Sequence, residues 1–405
     1  MTMGPIGTFV SLFILNQLNG TSIEVGIAVA VFNGIGIPAA ILWGKVTDVF
    51  QKRKPIIVAS FASTAITVAL FFFVHSIYQT YLLYGVFSIV SSANAVPLNL
   101  LVMETQPKSH WATAFSQFSL FAGTGVTFGL LISFFWTDFF PLYALALPLA
   151  ILSFASAILA VMLIKEPSFV FENEIIALQK PSLFQRLTQL PVIFLKIPHP
   201  SDFRAVFKGL RYELTRQLPL LLISIFFFNF AGGVLNTSLT PSLKSARVSD
   251  TGIFFVPLIQ MAVQTLSFRY AGPYIEKRTL KKTAVSGLTL RTACYALFAP
   301  AVFFLTGAAY LATSVILYML AAGIGYAVYS TASNTMVFDS LGKRRQGSML
   351  GVYSALIGLG TMLGSLISGY ISSYWGYYIT FIVAMLFLVL TTVLTSLLPD
   401  TKSQG

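Results

Sequence analysis

The chain has 405 residues, of which 56% are hydrophobic and 9% charged. A soluble domain carries roughly a quarter charged residues, so most of this chain cannot face water and the composition is that of a polytopic membrane protein. The net charge of +12 would favour nucleic acid in a soluble chain. Here the basic residues sit in loops between apolar runs, which points to the lipid bilayer as partner and away from nucleic acid.

In chain order, twelve apolar runs are long enough for helices crossing a hydrocarbon core, which takes about 20 residues. They cover 1–19, 23–44, 56–74, 80–102, 112–136, 140–164, 218–239, 252–271, 283–304, 308–336, 347–371 and 374–398. With the N-terminus inside, the inner loops and tail collect 22 of the 25 basic residues and the outer loops hold Lys244 and Arg247. Basic residues concentrate on the cytoplasmic side of membranes, so both termini are expected there, in the cell membrane. Arg291 lies within the ninth run, where it would snorkel to the headgroups or pair across the bundle, and snorkelling is the favoured expectation. Cys294, the single cysteine, excludes an internal disulfide and reads as packing filler.

Between the second and third runs lies Gly44 to Lys54, GKVTDVFQKRK, and its chemistry returns at Gly272 to Lys282, GPYIEKRTLKK. In each, a glycine is followed four residues later by an acid (Asp48, Glu276), then by bases (Lys52, Arg53; Lys277, Lys281). A charged turn recurring 228 residues on implies duplicated halves. The halves are expected at 1–164 and 218–398, with a proline-bearing cytoplasmic linker at 165–217 and a tail at 399–405. The same offset maps Leu218 to about ten residues before Met1, so the first helix is expected to be truncated. Glu104 and Asp339, at the inner ends of runs four and ten, offer countercharges for the basic clusters, giving a latch that holds the halves together on one side in one of two states.

All thirteen acids lie in loops or at helix ends. Proton coupling commonly uses a membrane-embedded carboxylate whose pKa burial raises, and Glu24, at the outer end of run two, is the remaining candidate. A substrate cavity must then use neutral polar groups: Asn33, Asn94, Asn99, Gln117, Asn229, Asn236, Gln260, Gln264, Tyr326 and Asn334 all lie within apolar runs. Unpaired amides are costly in hydrocarbon, so these are expected to point inward or to hydrogen-bond between helices. With 37 Phe and 17 Tyr in the chain, the set suits amphiphilic or weakly polar solutes better than strongly anionic ones.

The first charged loop resembles the signature of the major facilitator superfamily, G-x-x-x-D-[RK]-x-G-[RK]-[RK], in its place after the second helix. Gly44, Asp48, Lys52 and Arg53 match, while Val49 and Gln51 depart; the second copy matches at Gly272, Glu276, Lys277 and Lys281 and departs at Thr279 and Leu280. The resemblance implies an all-α fold of twelve transmembrane helices in two pseudo-symmetric six-helix bundles around a central cavity that opens alternately to either side. Gly85 stands where drug exporters of that family often carry an arginine, and no proline follows Gly123, Gly125 and Gly129 as in their exchanger motif. The glycine pairs 125/129 and 360/364 read instead as close helix packing.

The expected function is secondary transport of a small molecule by a monomer without cofactor or metal, with export of amphiphilic compounds favoured over uptake of a neutral nutrient. A membrane enzyme is disfavoured, because His75, His110 and His199 are scattered and no catalytic cluster shares one depth. A receptor or scaffold would have no use for a paired latch.

Overall fold

Backbone amides in hydrocarbon have no water to bond with, so each apolar run must satisfy itself as a helix. The computed structural model describes residues 1–50, 52–105, 111–164, 218–276, 279–340 and 346–399, with the side chains at 45, 48–50, 103–105, 111–116, 271–276, 338–340 and 346–352 outside that description. Helices α1 to α3 are Met3–Asn16, Ser22–Phe50 and Arg53–Leu70. Helix α4 comes in two pieces, Ile77–Ser92 and Ala95–Thr105, followed by α5, Trp111–Phe139, and α6, Ala146–Leu163. The second half begins with α7, Leu218–Ser245, then α8, Asp250–Glu276, and α9, Leu280–Phe304. Helix α10 is assembled from Gly307–Tyr318, Met319–Gly325 and Tyr326–Ser340, and Gln346–Ser396 holds both α11 (346–375) and α12 (377–396).

Ten helices among the described residues are long and apolar enough to cross a membrane, the last being a 44-residue stretch, Tyr353–Ser396. At about 1.5 Å per residue such a stretch is roughly twice the thickness of a hydrocarbon core, so it cannot be one span. Gly376 divides it, with φ 81° and ψ 168°, a conformation that residues with a Cβ rarely adopt. With the short α1 added, the described helices number twelve. Most apolar runs read from the sequence lie inside them, and the surface is suited to lipid: Phe121, Met162 and Phe304 are 71%, 72% and 77% exposed.

The break in α4 also has a local cause. Pro97 has no amide hydrogen to return to the Ala93 carbonyl, and α4 opens there at Ala93 and Asn94. Helix α10 swells into π geometry over Met319–Gly325. Pro38, Pro257 and Pro300 are carried inside helices.

Each half closes on its own packing. In the first, the Phe71 ring meets Phe9 and Phe13 edge-on, while the Ser60 and Ser88 hydroxyls donate across to the carbonyls of Val90 and Phe32. In the second, α7 lies between α11 and α12: Gly360 and Gly364 bring α11 onto the α7 backbone at Phe226 and Phe230, and Phe227 stacks on Phe387 of α12. The glycine spacing read from the sequence is therefore used for close packing, since only a missing side chain lets two backbones approach so far.

The halves meet along two seams, α2 on α11 and α5 on α8. The 228-residue repeat carries α2 onto α8 and α5 onto α11, so each seam is the symmetry copy of the other. The segment 165–217, expected to be the linker, lies outside the described residues.

Candidate functional site

Helix α7 is the polar wall around which the site is built. Asn229, Gly232, Gly233 and Asn236 follow at spacings that keep them on one face, and they line a cavity with Gln260, Met261 and Gln264 of α8, Arg291 of α9, Tyr318, Ala322 and Tyr326 of α10, Thr361 of α11, and Phe228. Its volume is ≈ 290 Å³, at the lower end of the few hundred Å³ usual for small-molecule sites. All of these positions fall near the mid-length of their helices, the depth at which transporters hold their substrates.

The π segment of α10 and the glutamines of α8 form one unit. The wider turn of a π helix leaves carbonyls without their usual partners, a feature frequent at functional sites. Gln260 Nε2 donates to the Ala322 carbonyl of that turn at 3.1 Å and to Gln264 Oε1 at 2.6 Å. One amide thus joins α8 to α10 and fixes its neighbour in the cavity wall. Across the cavity the Tyr318 hydroxyl donates to Asn236 Oδ1 at 3.1 Å.

Arg291 is the one charged side chain in this lining, and it is 2% exposed. Gly287, one turn earlier, approaches the backbone of α10 at Gly325 and Tyr329. Residues four apart on a helix share a face, so Arg291 is delivered to the same crossing. Its Nε and Nη2 donate to the Tyr295 hydroxyl at 3.2 and 2.7 Å. The guanidinium carbon sits 4.5 Å from the Phe228 ring centroid, 5.2 Å from Tyr295 and 5.7 Å from Tyr326. The snorkelling expected from the sequence does not occur: the side chain turns into the bundle because the glycine contact sets the helix rotation. A charge at the bilayer centre costs about 2.5–3.5 kcal/mol on insertion scales, and each ring contact returns about 0.5–2 kcal/mol. The aromatic cage therefore holds the cation without neutralising it.

Of the polar residues anticipated for a cavity, Asn229, Asn236, Gln260, Gln264 and Tyr326 come together here, while Asn33, Asn94 and Gln117 lie outside this lining. Asn33 bonds back to the Val29 carbonyl of its own helix at 2.8 Å. Asn94 sits in the break of α4, and Gln117 is exposed on α5. Asn334 accepts from the Tyr353 hydroxyl, and Asn99 is exposed in the second piece of α4. Sequence reasoning missed Phe228, Met261, Tyr318 and Thr361. It also missed the role of Arg291, although a cation in mid-helix with an aromatic residue four positions on was a signal for an inward face.

The sequence profile described as Major Facilitator Superfamily matches residues 1–321 and again 221–405. The chain belongs to the major facilitator superfamily. Membership makes it a membrane transporter. A mutant of the nucleoside transporter NupG superposes with a TM-score of 0.71 at 14% identity, covering 97% of this chain and 94% of that one. The xylose transporter XylE from E. coli, in a partially occluded inward open conformation, superposes with a TM-score of 0.67 at 12% identity over 100% and 95%. Identities this low speak for the fold alone. No curated protein sequence matches.

In this superfamily member the polar contacts described between the halves gather at the end of the bundle opposite the basic loops. The Ser22 hydroxyl of α2 lies 2.8 Å from that of Tyr377. Asn16 Nδ2 donates to Asp250 Oδ2 at 2.8 Å, and Lys244 pairs with the other oxygen at 2.8 Å. Thr251 of α8 reaches Asp138 and Thr137 at 3.4 Å. Asp250→Ala is therefore expected to cost global stability little, about 1 kcal/mol for a half-buried ion pair at the bundle's end. It should raise thiol labelling of a cysteine placed at Asn16 severalfold; equal labelling would mean that Asn16–Asp250 does not help to close this end.

The opposite end carries the two charged loops that resemble the superfamily signature. Gly44 is helical in α2, Lys52 is exposed just before α3, and Arg53 Nη1 donates to the Thr47 carbonyl at 3.2 Å. Lys281 is half-buried in the first turn of α9. The side chains of Asp48, Glu104, Glu276 and Asp339, the motif glycine Gly272 and all of Lys277 lie outside the described residues. Glu24, singled out for coupling, accepts from the Thr21 amide at 2.7 Å and from the Thr21 hydroxyl. Thr21 Oγ1 in turn accepts from the Ile23 amide at 3.3 Å, so Thr21 and Glu24 together close the N-terminus of α2 in the manner of a capping box.

Proposed function

We propose that the chain carries a small polar solute, bound in the cavity between α7, α8, α9, α10 and α11, across the membrane by alternating access. The observation that carries this reading is the convergence at mid-depth of Asn229, Asn236, Gln260, Gln264 and Arg291. Polar groups are expensive at that depth and concentrate on solute pathways. The halves, 1–164 and 218–398, rock about this site as a monomer, with the linker 165–217 and both termini on the cytoplasmic side of the cell membrane. The repeated loops around Asp48 and Glu276, with Glu104 and Asp339, latch the cytoplasmic end when the other end opens. The contacts at Ser22, Asp250 and Tyr377 close the outer end, which supports a solute entrance from the side of the basic loops.

Export of amphiphilic compounds is the second reading, favoured by the aromatic side of the wall at Phe228, Tyr318 and Tyr326. Flux in vesicles of known orientation separates export from uptake. Purified protein in proteoliposomes is expected to exchange labelled small polar solutes, and Gln260→Ala with Gln264→Ala should lower the rate at limiting solute by roughly tenfold or more, the loss expected for buried hydrogen bonds. Vesicles that exchange nothing, polar or amphiphilic, would contradict the transport reading, and a double variant with wild-type rates would move the solute elsewhere.

A further inference from the structure

We infer that the carried solute bears one negative charge, a carboxylate, which pairs with Arg291. The inference rests on the cavity being the solute site and names the chemistry of its occupant. Arg291 is 2% exposed, and its Nη1 has no hydrogen-bond partner although it is buried. Its other nitrogens meet only the Tyr295 hydroxyl, an uncharged group. The rings of Phe228, Tyr295 and Tyr326 that surround the guanidinium attract a cation but leave its charge in place. Among the described residues no acid stands at this depth, and in the sequence all thirteen acids fall in loops or at helix ends. A buried charge without a partner is the costliest of arrangements, and a site that must reload each cycle can tolerate it if the partner arrives with the solute.

The form of the cation narrows the anion. A guanidinium offers a planar fork that matches a carboxylate, and here Nη1 is the free arm of the fork. Arg291 is the one cation among the lining residues. It balances one negative charge, whereas a phosphate monoester carries between one and two near neutral pH and would leave part of its charge unpaired in the bundle. The amides of Asn229, Asn236, Gln260 and Gln264 then serve hydroxyls or carbonyls on the rest of the molecule, and the Phe228 and Tyr326 rings its carbon skeleton. The sequence argued against strongly anionic solutes from its neutral amides and many aromatics, with no cation counted among them; with the Arg291 side chain in the cavity lining the preference reverses.

Loading also changes which step is slow. Occupied, the site is neutral as a pair; empty, it must carry an isolated cation through the closed state. Exchange of one carboxylate for another is therefore expected to outrun net flux.

The test uses the full chain and three pairs of molecules alike but for the charge: glucuronate and glucose, lactate and propane-1,2-diol, benzoate and benzyl alcohol. Binding is read by calorimetry in detergent at matched ionic strength, and exchange of the lactate and glucuronate pairs is read in proteoliposomes. At least one carboxylate should bind roughly ten- to hundredfold more tightly than its neutral twin, the range for hydrogen bonds to charged groups. It should exchange faster when the trans side holds a carboxylate. Arg291→Gln should abolish this preference and Arg291→Lys should keep part of it. Neutral molecules that bind or exchange as well as their charged twins overturn the charge assignment and leave transport standing. Failure of all six to bind or exchange contradicts both readings. Arg291→Gln binding a carboxylate as tightly as the wild type overturns the assignment to Arg291. The wild-type pairs need no variant, so a folding defect in Arg291→Gln cannot obscure the result.

Discussion

Gly369→Val is expected to hold the protein open at the end where α2 and α11 cross. A Cβ at Gly369 would lie 2.7 Å from the Ser22 carbonyl oxygen and 3.1 Å from the Gly26 Cα, and one at Gly26 would lie 2.9 Å from the Gly369 Cα. Both neighbours are backbone, so neither can swing aside and the helices themselves must part. Overpacking of this kind costs about 1–3 kcal/mol. Under the proposed alternating access the two halves move against each other along this seam, so the cost falls on one of two states, and roughly 5- to 150-fold is the shift such an energy produces. A cysteine in place of Ser22, with Cys294→Ala to remove the native thiol, should label faster by about that factor in Gly369→Val, while transport slows. Unchanged labelling would show that the crossing is not a moving contact.

The same substitution one helix face away should do something different. Gly364→Val places its side chain against the Phe230 carbonyl and within 3.1 Å of the Val234 amide nitrogen, and a Cβ at Gly360 would meet the Phe226 carbonyl at 2.7 Å. These contacts lie between α11 and α7, inside one half, where no second state relieves them. The whole cost is then destabilisation, about 3 kcal/mol. Thermal unfolding of the purified protein in detergent should fall by several degrees at least, or folded yield should collapse. Wild-type stability with altered labelling at Ser22 would mean that α7 and α11 separate during the cycle.

What could be read from the sequence followed from constraints that act on single runs of residues. Continuous apolar runs of about twenty residues cross hydrocarbon as helices, so they gave the spans; the breaks at Gly376 and Pro97 are written in residue types that permit a positive φ or withhold an amide. The loop pair at Gly44 and Gly272 gave the duplication, and with it the symmetry of the two seams. Depth was legible too, which is why Asn229, Asn236, Gln260 and Gln264 were anticipated. Rotation about the helix axis was not, because twelve mostly apolar helices carry little amphipathic signal. Asn33 sits at the right depth yet spends its amide on Val29. Arg291 was assigned to the headgroups by its distance from the helix end, whereas the contact of Gly287 with Gly325 across α9 and α10 turns it inward. The π turn at Met319–Gly325 depends on a partner from another helix, Gln260, and no local sequence rule finds it.

The account stands on a single mid-depth cavity served in turn from both faces. A cysteine replacing Thr361 in the cavity wall, again with Cys294→Ala, measures this in vesicles of one orientation with an impermeant thiol reagent. Labelling from the face of the basic loops is expected in the otherwise native chain, and labelling from the opposite face once Gly369→Val is added. Reaction from the same face in both proteins, or from neither, would contradict alternating access at this site.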